Sequence, residues 1–228
     1  MRTYRLTHQD AKVVSRDGWL SLQPVPFREL VLERSVTQAY AVGEAVYHLG
    51  DPEGGIYGLV AGVLMVTAAP GTSMPRLIHV ASPGLWTGEG PFLMGGPRRV
   101  ALRAAVACRL LHLPLDVMEQ MAAEDPAVVR KFGQIPFLNI ELLLRVVRDL
   151  LIRDPDRRIA AVLLRATAGG LWKLPLSQEA IGDMASASRK QVNFALGRFA
   201  DSGWLVRGYR AVELVDAASM AAFVAEEG

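Results

Sequence analysis

Between Ser177 and Ser202 the sequence reads SQEAIGDMASASRKQVNFALGRFADS, with a serine ahead of each of two short amphipathic runs. Ser177 and Ser188 are good helix N-caps, because a serine hydroxyl accepts from one of the amides a helix leaves unpaired at its start. Ala180, Ile181 and Met184 share one face of the first run, while Val192, Ala195, Leu196 and Phe199 share one face of the second. Ala185-Ser186-Ala187 lies between them as a turn. Two capped helices joined in this way form a helix-turn-helix, whose second helix lies in a major groove with its N-terminal residues at the base edges. Arg189, Lys190, Gln191 and Asn193 occupy that end, and their guanidinium, ammonium and amide groups suit hydrogen bonding to bases and phosphates.

Helical pairs of this outline also occur in proteins that never meet DNA, so the charge around the motif matters. From Ser186 to Arg210 the basic residues are Arg189, Lys190, Arg198, Arg207 and Arg210, against the single acid Asp201. Such local positive charge is what phosphate contact requires. The whole chain carries a net charge of only +2, which neither demands nor forbids a nucleic-acid partner. Past Gly203, Trp204 to Arg207 and Ala211 to Val215 flank Gly208-Tyr209 as a small hairpin, the wing of a winged helix-turn-helix. No nucleophile stands beside a histidine base and no carboxylate pair accompanies a substrate motif, so an enzyme is not expected.

The elements that must carry this motif read as follows. The 228 residues suffice for one large domain or two modest ones, and 51% hydrophobic with 21% charged residues describes a globule. The charge-free stretch Gly54 to Pro75 has an apolar part, Ile56 to Ala69, shorter than the roughly 20 residues that span a bilayer. Ile56 to Val60 and Val63 to Thr67 therefore read as strands around Ala61-Gly62, with a second turn at Ala69-Pro70-Gly71. From Val36 to Leu113 short apolar runs alternate with glycine and proline turns, the rhythm of a β sandwich or jelly roll. Phe27 to Arg34 reads as a short helix before it, and Pro114 to Ala123 as another after it.

Asp125-Pro126 then opens a long helix. Val129, Pro136, Leu143 and Leu150 recur every seven residues with Phe132, Ile140 and Val147 near a second seam, a stripe of coiled-coil period. A core helix could carry the same stripe, but a long helix joining two unlike halves favours a dimer seam. Pro136 is expected to kink it or to remove one of its hydrogen bonds. Asp154-Pro155-Asp156 ends that helix, and Arg158 to Ala168 forms the next.

With these pieces in order, the chain resembles the CRP/FNR family of bacterial transcription regulators from about residue 36 to 215. The resemblance rests on Ile181-Gly182 and Ser188-Arg189 in the helix-turn-helix, on Arg158-Ile159-Ala160 before it, and on GDPEGGIYGLVAGVLMV in the sandwich. It implies an α+β chain: an N-terminal β jelly roll (1–123), a long dimerisation helix (124–153) and a C-terminal winged helix-turn-helix (154–228). It also implies an effector pocket. Gly88-Glu89 and Arg99 match the family's nucleotide-binding pattern, but Val100 stands where a serine or threonine would hold the cyclic phosphate and has no donor. Leu143 and Leu144 stand where polar groups from the long helix would meet the base. Cyclic AMP is therefore not expected to bind well, and Arg98 remains to help hold another anion. An iron-sulfur cluster is disfavoured by the single cysteine, Cys108; haem would need His8, His48, His79, His112, Cys108 or a methionine as ligand.

DNA readout departs from the family pattern too, with Lys190 at a frequent glutamate position and Phe194 at a frequent arginine position. Arg189 is expected to read guanine, Gln191 or Asn193 to reach adenine or phosphate, and Ser177 and Ser188 to sit at phosphates. The implied function is a homodimeric, sequence-specific regulator on an inverted-repeat duplex operator, with RNA polymerase as a further partner and no membrane. The alternative is a cyclic-nucleotide-type ligand-binding module whose helical tail contacts protein instead of DNA. The N-terminus MRTYRLTHQD has no apolar secretory core and the lone cysteine forms no internal disulfide, so a cytoplasmic location is expected.

Overall fold

A computed structural model describes residues 3–52, 54–69 and 74–225. They form two compact units, one built from segments up to residue 75 and from 81 to 142, the other from 76–80 and from 143 onward.

The first unit begins with α1 (His8–Arg16), a 3-10 turn (Trp19–Leu22) and α2 (Val25–Arg34). Thr7 and Asp10 close a capping box at the start of α1, each side chain bonding the other's backbone amide. Eight strands follow: β1 (Val36–Tyr40), β2 (Ala45–Tyr47), β3 (Ile56–Ala61), β4 (Leu64–Ala68), β5 (Arg76–Ala81), β6 (Trp86–Thr87), β7 (Val100–Ala104) and β8 (Cys108–Leu113). Within the first unit they make one sheet in the order β1-β8-β3-β6 and a second in the order β2-β7-β4, while residues 76–80 of β5 are grouped with the second unit. The expected strands around Ala61-Gly62 are present as β3 and β4, whereas the turn at Pro70-Gly71 lies outside the described residues. A short α3 (Gly90–Met94) interrupts the β series, and α4 (Leu115–Glu124) closes it.

Aromatic packing explains why the N-terminal segment belongs to this unit. Trp19 stacks on Phe132 (5.6 Å between ring centroids), meets Phe27 and Trp86 edge-on, and donates its indole N–H to the Lys131 carbonyl at 2.6 Å. A buried indole needs such an acceptor, because losing water without one is costly. Phe132 is fully buried in this cluster and so is a core residue, not part of a dimer seam.

The long helix is divided. α5 (Val128–Phe132) and α6 (Gln134–Leu151) meet at Gly133, so Pro136 falls in the first turn of α6 instead of kinking its middle. The first four amides of a helix have no intrahelical acceptor, and a proline there sacrifices no bond. Exposed apolar residues run along α6, and Phe137, Ile140, Leu144, Val147 and Leu151 among them are spaced alternately by three and four. Phe137, Leu144 and Leu151 are 63–75% exposed, against 43–46% for Leu143 and Leu150, so the centre of the stripe lies one residue beyond the expected Leu143–Leu150 line.

The second unit contains α7 (Pro155–Ala166), β9 (Lys173–Leu174), α8 (Gln178–Ala185), α9 (Arg189–Asp201), β10 (Leu205–Gly208), β11 (Ala211–Leu214) and α10 (Ala217–Ala225). Asp154 caps α7, with Pro155 at its first position. The hairpin β10-β11 is antiparallel and gains β9 as a third strand. Phe199, Trp204 and Phe223 cluster at 5.4–5.9 Å and tie α9, the wing and α10 into one core. Near the end of α6, Asp149 is wholly buried and is held by Arg165 of α7 (Nε to Oδ2, 2.7 Å). A buried carboxylate survives only with such a charged partner.

Candidate nucleic-acid interface and effector pocket

Both serine caps form as the sequence implies. The Ser177 hydroxyl accepts from the Ala180 amide at 3.1 Å, and Ser188 and Gln191 close a capping box in which the Gln191 side-chain oxygen accepts from the Ser188 amide (2.8 Å) and hydroxyl (2.9 Å). Between the helices Ser186 adopts the left-handed conformation (φ 47°) that ends α8. Gly182 makes the sharp return possible: a Cβ there would stand 2.7 Å from the Ala187 carbonyl oxygen, which no side chain tolerates. Arg158 of α7 clamps the same turn, donating to the carbonyls of Ala185 (2.5 Å), Ser186 (3.3 Å) and Ile152 (2.7 Å). A guanidinium at the carbonyl end of α8 also complements its dipole. This is the physical content of Arg158-Ile159-Ala160, a role that spacing alone does not reveal.

Val192, Ala195, Leu196 and Phe199 are all buried, which turns Arg189, Lys190, Gln191, Asn193, Phe194 and Arg198 outward. These outward residues are not equally available. Gln191 spends its side-chain oxygen on the capping box. The Asn193 oxygen accepts from both Gln178 (3.0 Å) and Arg207 (2.7 Å), so it links the start of α8 to the wing. Arg198 pairs with Asp156 at 2.6 Å. Among the described residues the side chains of Arg189 and Lys190 form no ion pair or hydrogen bond, nor does that of Arg210 at the tip of the wing, where the exposed Tyr209 also sits. Arg189 borders a groove whose walls also include Ser177, Gln178, Arg207, Tyr209 and Arg210, together with the acids Glu179 and Asp183. Free cations thus face one concave surface beside a helix N-terminus, which can take up phosphate and base edges together.

Around Glu89 the first unit departs from expectation in its arginine. Arg98 is only 4% exposed, whereas Arg99 is exposed, so the matched spacing from Glu89 to Arg99 does not bring Arg99 inside. Strand parity is the reason. Residues 98, 102 and 104 point inward on and just before β7, and a one-residue step reverses the face. The Arg98 guanidinium lies 4.3 Å over the Tyr47 ring and donates to the carbonyls of Gly88 (2.7 Å) and Gly55 (3.0 Å), while its Nε has no partner. Gly88, at φ +103°, permits this, because a Cβ would come within 2.6 Å of the Arg98 Nη1.

Glu89 is nearly buried, and burial raises its carboxyl pKa above the ordinary value against the opposing pull of nearby amides and Arg98. Its Oε1 accepts from the Asn139 side chain at 3.3 Å. Asn139, which sequence reading missed, is thus the polar side chain of the long helix that meets Glu89, while Leu143 and Leu144 are exposed on α6. Val100 is half-buried and offers no donor. Each terminal nitrogen of Arg98 thus already donates to a backbone carbonyl.

The candidate haem ligands are scattered. His8 and His48 are exposed, and burial holds the His79 ring down to about 3. His112 stacks on Tyr57 at 4.2 Å and lies within hydrogen-bond reach of Gln38 and the Gly54 carbonyl. Cys108 is buried, bonded to the carbonyls of Val63 and Val106, and its thiol is pushed up to about 11 by burial. Among the described residues no three His, Cys, Asp or Glu side chains gather as a metal site, and no helix is long and apolar enough to cross a membrane.

Comparison with known proteins agrees with this division. A cyclic nucleotide-binding domain family matches residues 37–125 and a Crp-like helix-turn-helix domain family matches residues 157–223. The chain is 24% identical over 187 residues to a CRP-like cAMP-activated global transcriptional regulator of Mycobacterium tuberculosis, covering 78% of this chain and 84% of that protein. Its fold is shared with FixK2 from Bradyrhizobium japonicum (TM-score 0.71, 20% identity, 85% of this chain and 99% of that one). It is shared also with the c-di-GMP responsive global regulator CLP of Xanthomonas campestris (TM-score 0.65, 21% identity, 84% and 99%). A sandwich of the nucleotide-binding type, followed by a capped, cation-faced helix-turn-helix with a wing, places the chain in the CRP/FNR family of transcription regulators, which bind DNA through that motif and are not enzymes.

Proposed function

We propose that the protein is a cytoplasmic, homodimeric regulator that binds an inverted-repeat operator through α9, under a divergent effector domain. In this reading residues 1–123 form the effector domain, 124–153 the dimerisation segment and 154–228 the DNA-binding domain, with RNA polymerase as a further partner. The observation that carries it is the concave face where unpaired Arg189 stands with Ser177 and the wing residues Arg207 and Arg210, with exposed Lys190 next to it in sequence at the start of α9. The two serine hydroxyls are used as caps, so the backbone at each helix start is what faces phosphate. Binding to random-sequence duplex should weaken steeply with salt, each neutralised phosphate adding about −0.9 to the slope of log affinity against log salt. A flat slope would favour the protein-contacting alternative for the helical tail.

Dimerisation is supported by the apolar stripe from Phe137 to Leu151, whose three-and-four spacing is that of a two-helix seam. A second copy presenting the same stripe across a two-fold axis covers it. The effector differs among relatives, since two of the three regulators named above are described as cAMP-activated and as c-di-GMP responsive. Here the engaged Arg98, the exposed Arg99 and the apolar Val100 argue against tight cyclic AMP binding. Isothermal titration with cyclic AMP should give no saturable heat at micromolar concentrations. Micromolar binding that disappears in Arg98→Ala would restore cyclic AMP as the effector.

A further inference from the structure

α9 carries an aromatic side chain that the fold does not use. Its apolar face is complete in Val192, Ala195, Leu196 and Phe199, all buried, yet Phe194 is 65% exposed. At about 100° per residue, Lys190 and Phe194 line up one turn apart on the side opposite that buried face. The next outward position is Gly197, where even a Cβ would meet nothing nearer than the Arg207 Nη1 at 3.9 Å. The ring therefore projects between cations over open ground. Meanwhile Gln191 and Asn193, the amides best suited to read adenine, have their oxygens engaged by Ser188 and by Gln178 and Arg207, which removes the acceptor half of the two-point contact adenine needs. Over the first two turns that leaves Arg189, Lys190 and Phe194 to meet base edges.

A major groove offers one apolar group at its base edges, the C5-methyl of thymine, and aromatic side chains are among those that contact it. We propose that Phe194 is a specificity-determining residue that selects thymine in each half-site by packing on this methyl. The inference rests on the reading of α9 as the recognition helix, and it adds the base and the atom that this face reads. Burying one methyl group changes affinity roughly fourfold, so two half-sites together change it about fifteenfold.

The test begins with duplexes enriched from a random library by the wild-type protein. Each thymine of the enriched palindrome is then replaced by deoxyuridine, which removes the methyl and leaves every hydrogen-bonding group in place. At one symmetric thymine pair the wild type should lose roughly fifteenfold in affinity. Phe194→Ala should show no such loss there, while keeping the same preference at the guanine read by Arg189. Because Phe194 is largely exposed, the variant should melt like the wild type. An enriched palindrome with no deoxyuridine penalty at any thymine, or a penalty that survives Phe194→Ala, overturns the proposal alone. Failure to enrich any palindrome overturns both this proposal and the reading of α9, and would point to a protein partner for the ring.

Discussion

Leu144→Asp is expected to turn a dimer into a monomer. Leu144 is 63% exposed in the single chain and central to the apolar stripe of α6, so the substitution costs the isolated fold little. Across a two-fold seam it acts twice. Each copy loses a leucine contact of about 1.5–3 kcal/mol and brings a carboxylate to a dry interface at a cost of several kcal/mol. The sum is at least about 5 kcal/mol, which raises the dimer dissociation constant by more than about a thousandfold. Sedimentation equilibrium at micromolar protein reads the change directly. Operator affinity should fall as well, because a monomer holds one half-site without the effective concentration the second provides, an avidity on the order of 10²–10⁴. A variant that stays dimeric at micromolar concentration would place the interface elsewhere.

The second large effect concerns Arg189, exposed, unpaired and at the first position of α9. A guanidinium there can take guanine O6 and N7 together, worth about 1–3 kcal/mol per half-site. A two-fold operator doubles that, so Arg189→Ala should weaken the specific complex by roughly 30-fold to 10⁴-fold. Non-specific affinity should fall far less, since one phosphate-scale charge is lost among several. Sites enriched by the variant should no longer share a base at the position the arginine reads. Equal enrichment of the same motif by wild type and variant would assign specificity to another side chain. Gln191→Ala, by contrast, should act through the capping box: it should destabilise the start of α9 and leave the preferred sequence unchanged.

These two residues also mark how legible the molecule was. The helix-turn-helix could be read from sequence because its determinants are local. Ser177 and Ser188 cap within three residues, the inner faces repeat at helical spacing, and the wing is a hairpin of neighbouring strands. The strand rhythm from Val36 to Leu113 likewise marks the sandwich, since turn residues act within a few positions. The N-terminal helix α1 and the turn carrying Trp19 gave no comparable signal. Trp19 finds its indole acceptor at Lys131, more than a hundred residues away, and Asp10 finds its ion pair at Arg109.

Where residue types stood side by side, the sequence determined that a group was present and only tertiary structure decided which one faced inward. Leu142-Leu143-Leu144 and Ile140 guarantee an apolar stripe, but three adjacent leucines leave its rotation open. Packing of Phe132, Ile135 and Val146 into the protein sets that rotation and brings Leu144 to the outer centre. Arg98-Arg99 guarantees a cation near Glu89, yet the pleat of β7 buries the first and exposes the second. The amides of α9 were legible as hydrogen-bonding groups, whereas their engagement by Ser188, Gln178 and Arg207 depends on the wing folding back beside the helix. Residue type and short-range spacing thus determined the family, the motif and its charge. Contacts between residues distant in sequence decided which arginine is buried, which leucines are exposed and which side chains of α9 remain free, because a side chain's surroundings are set by whatever packs against it in space.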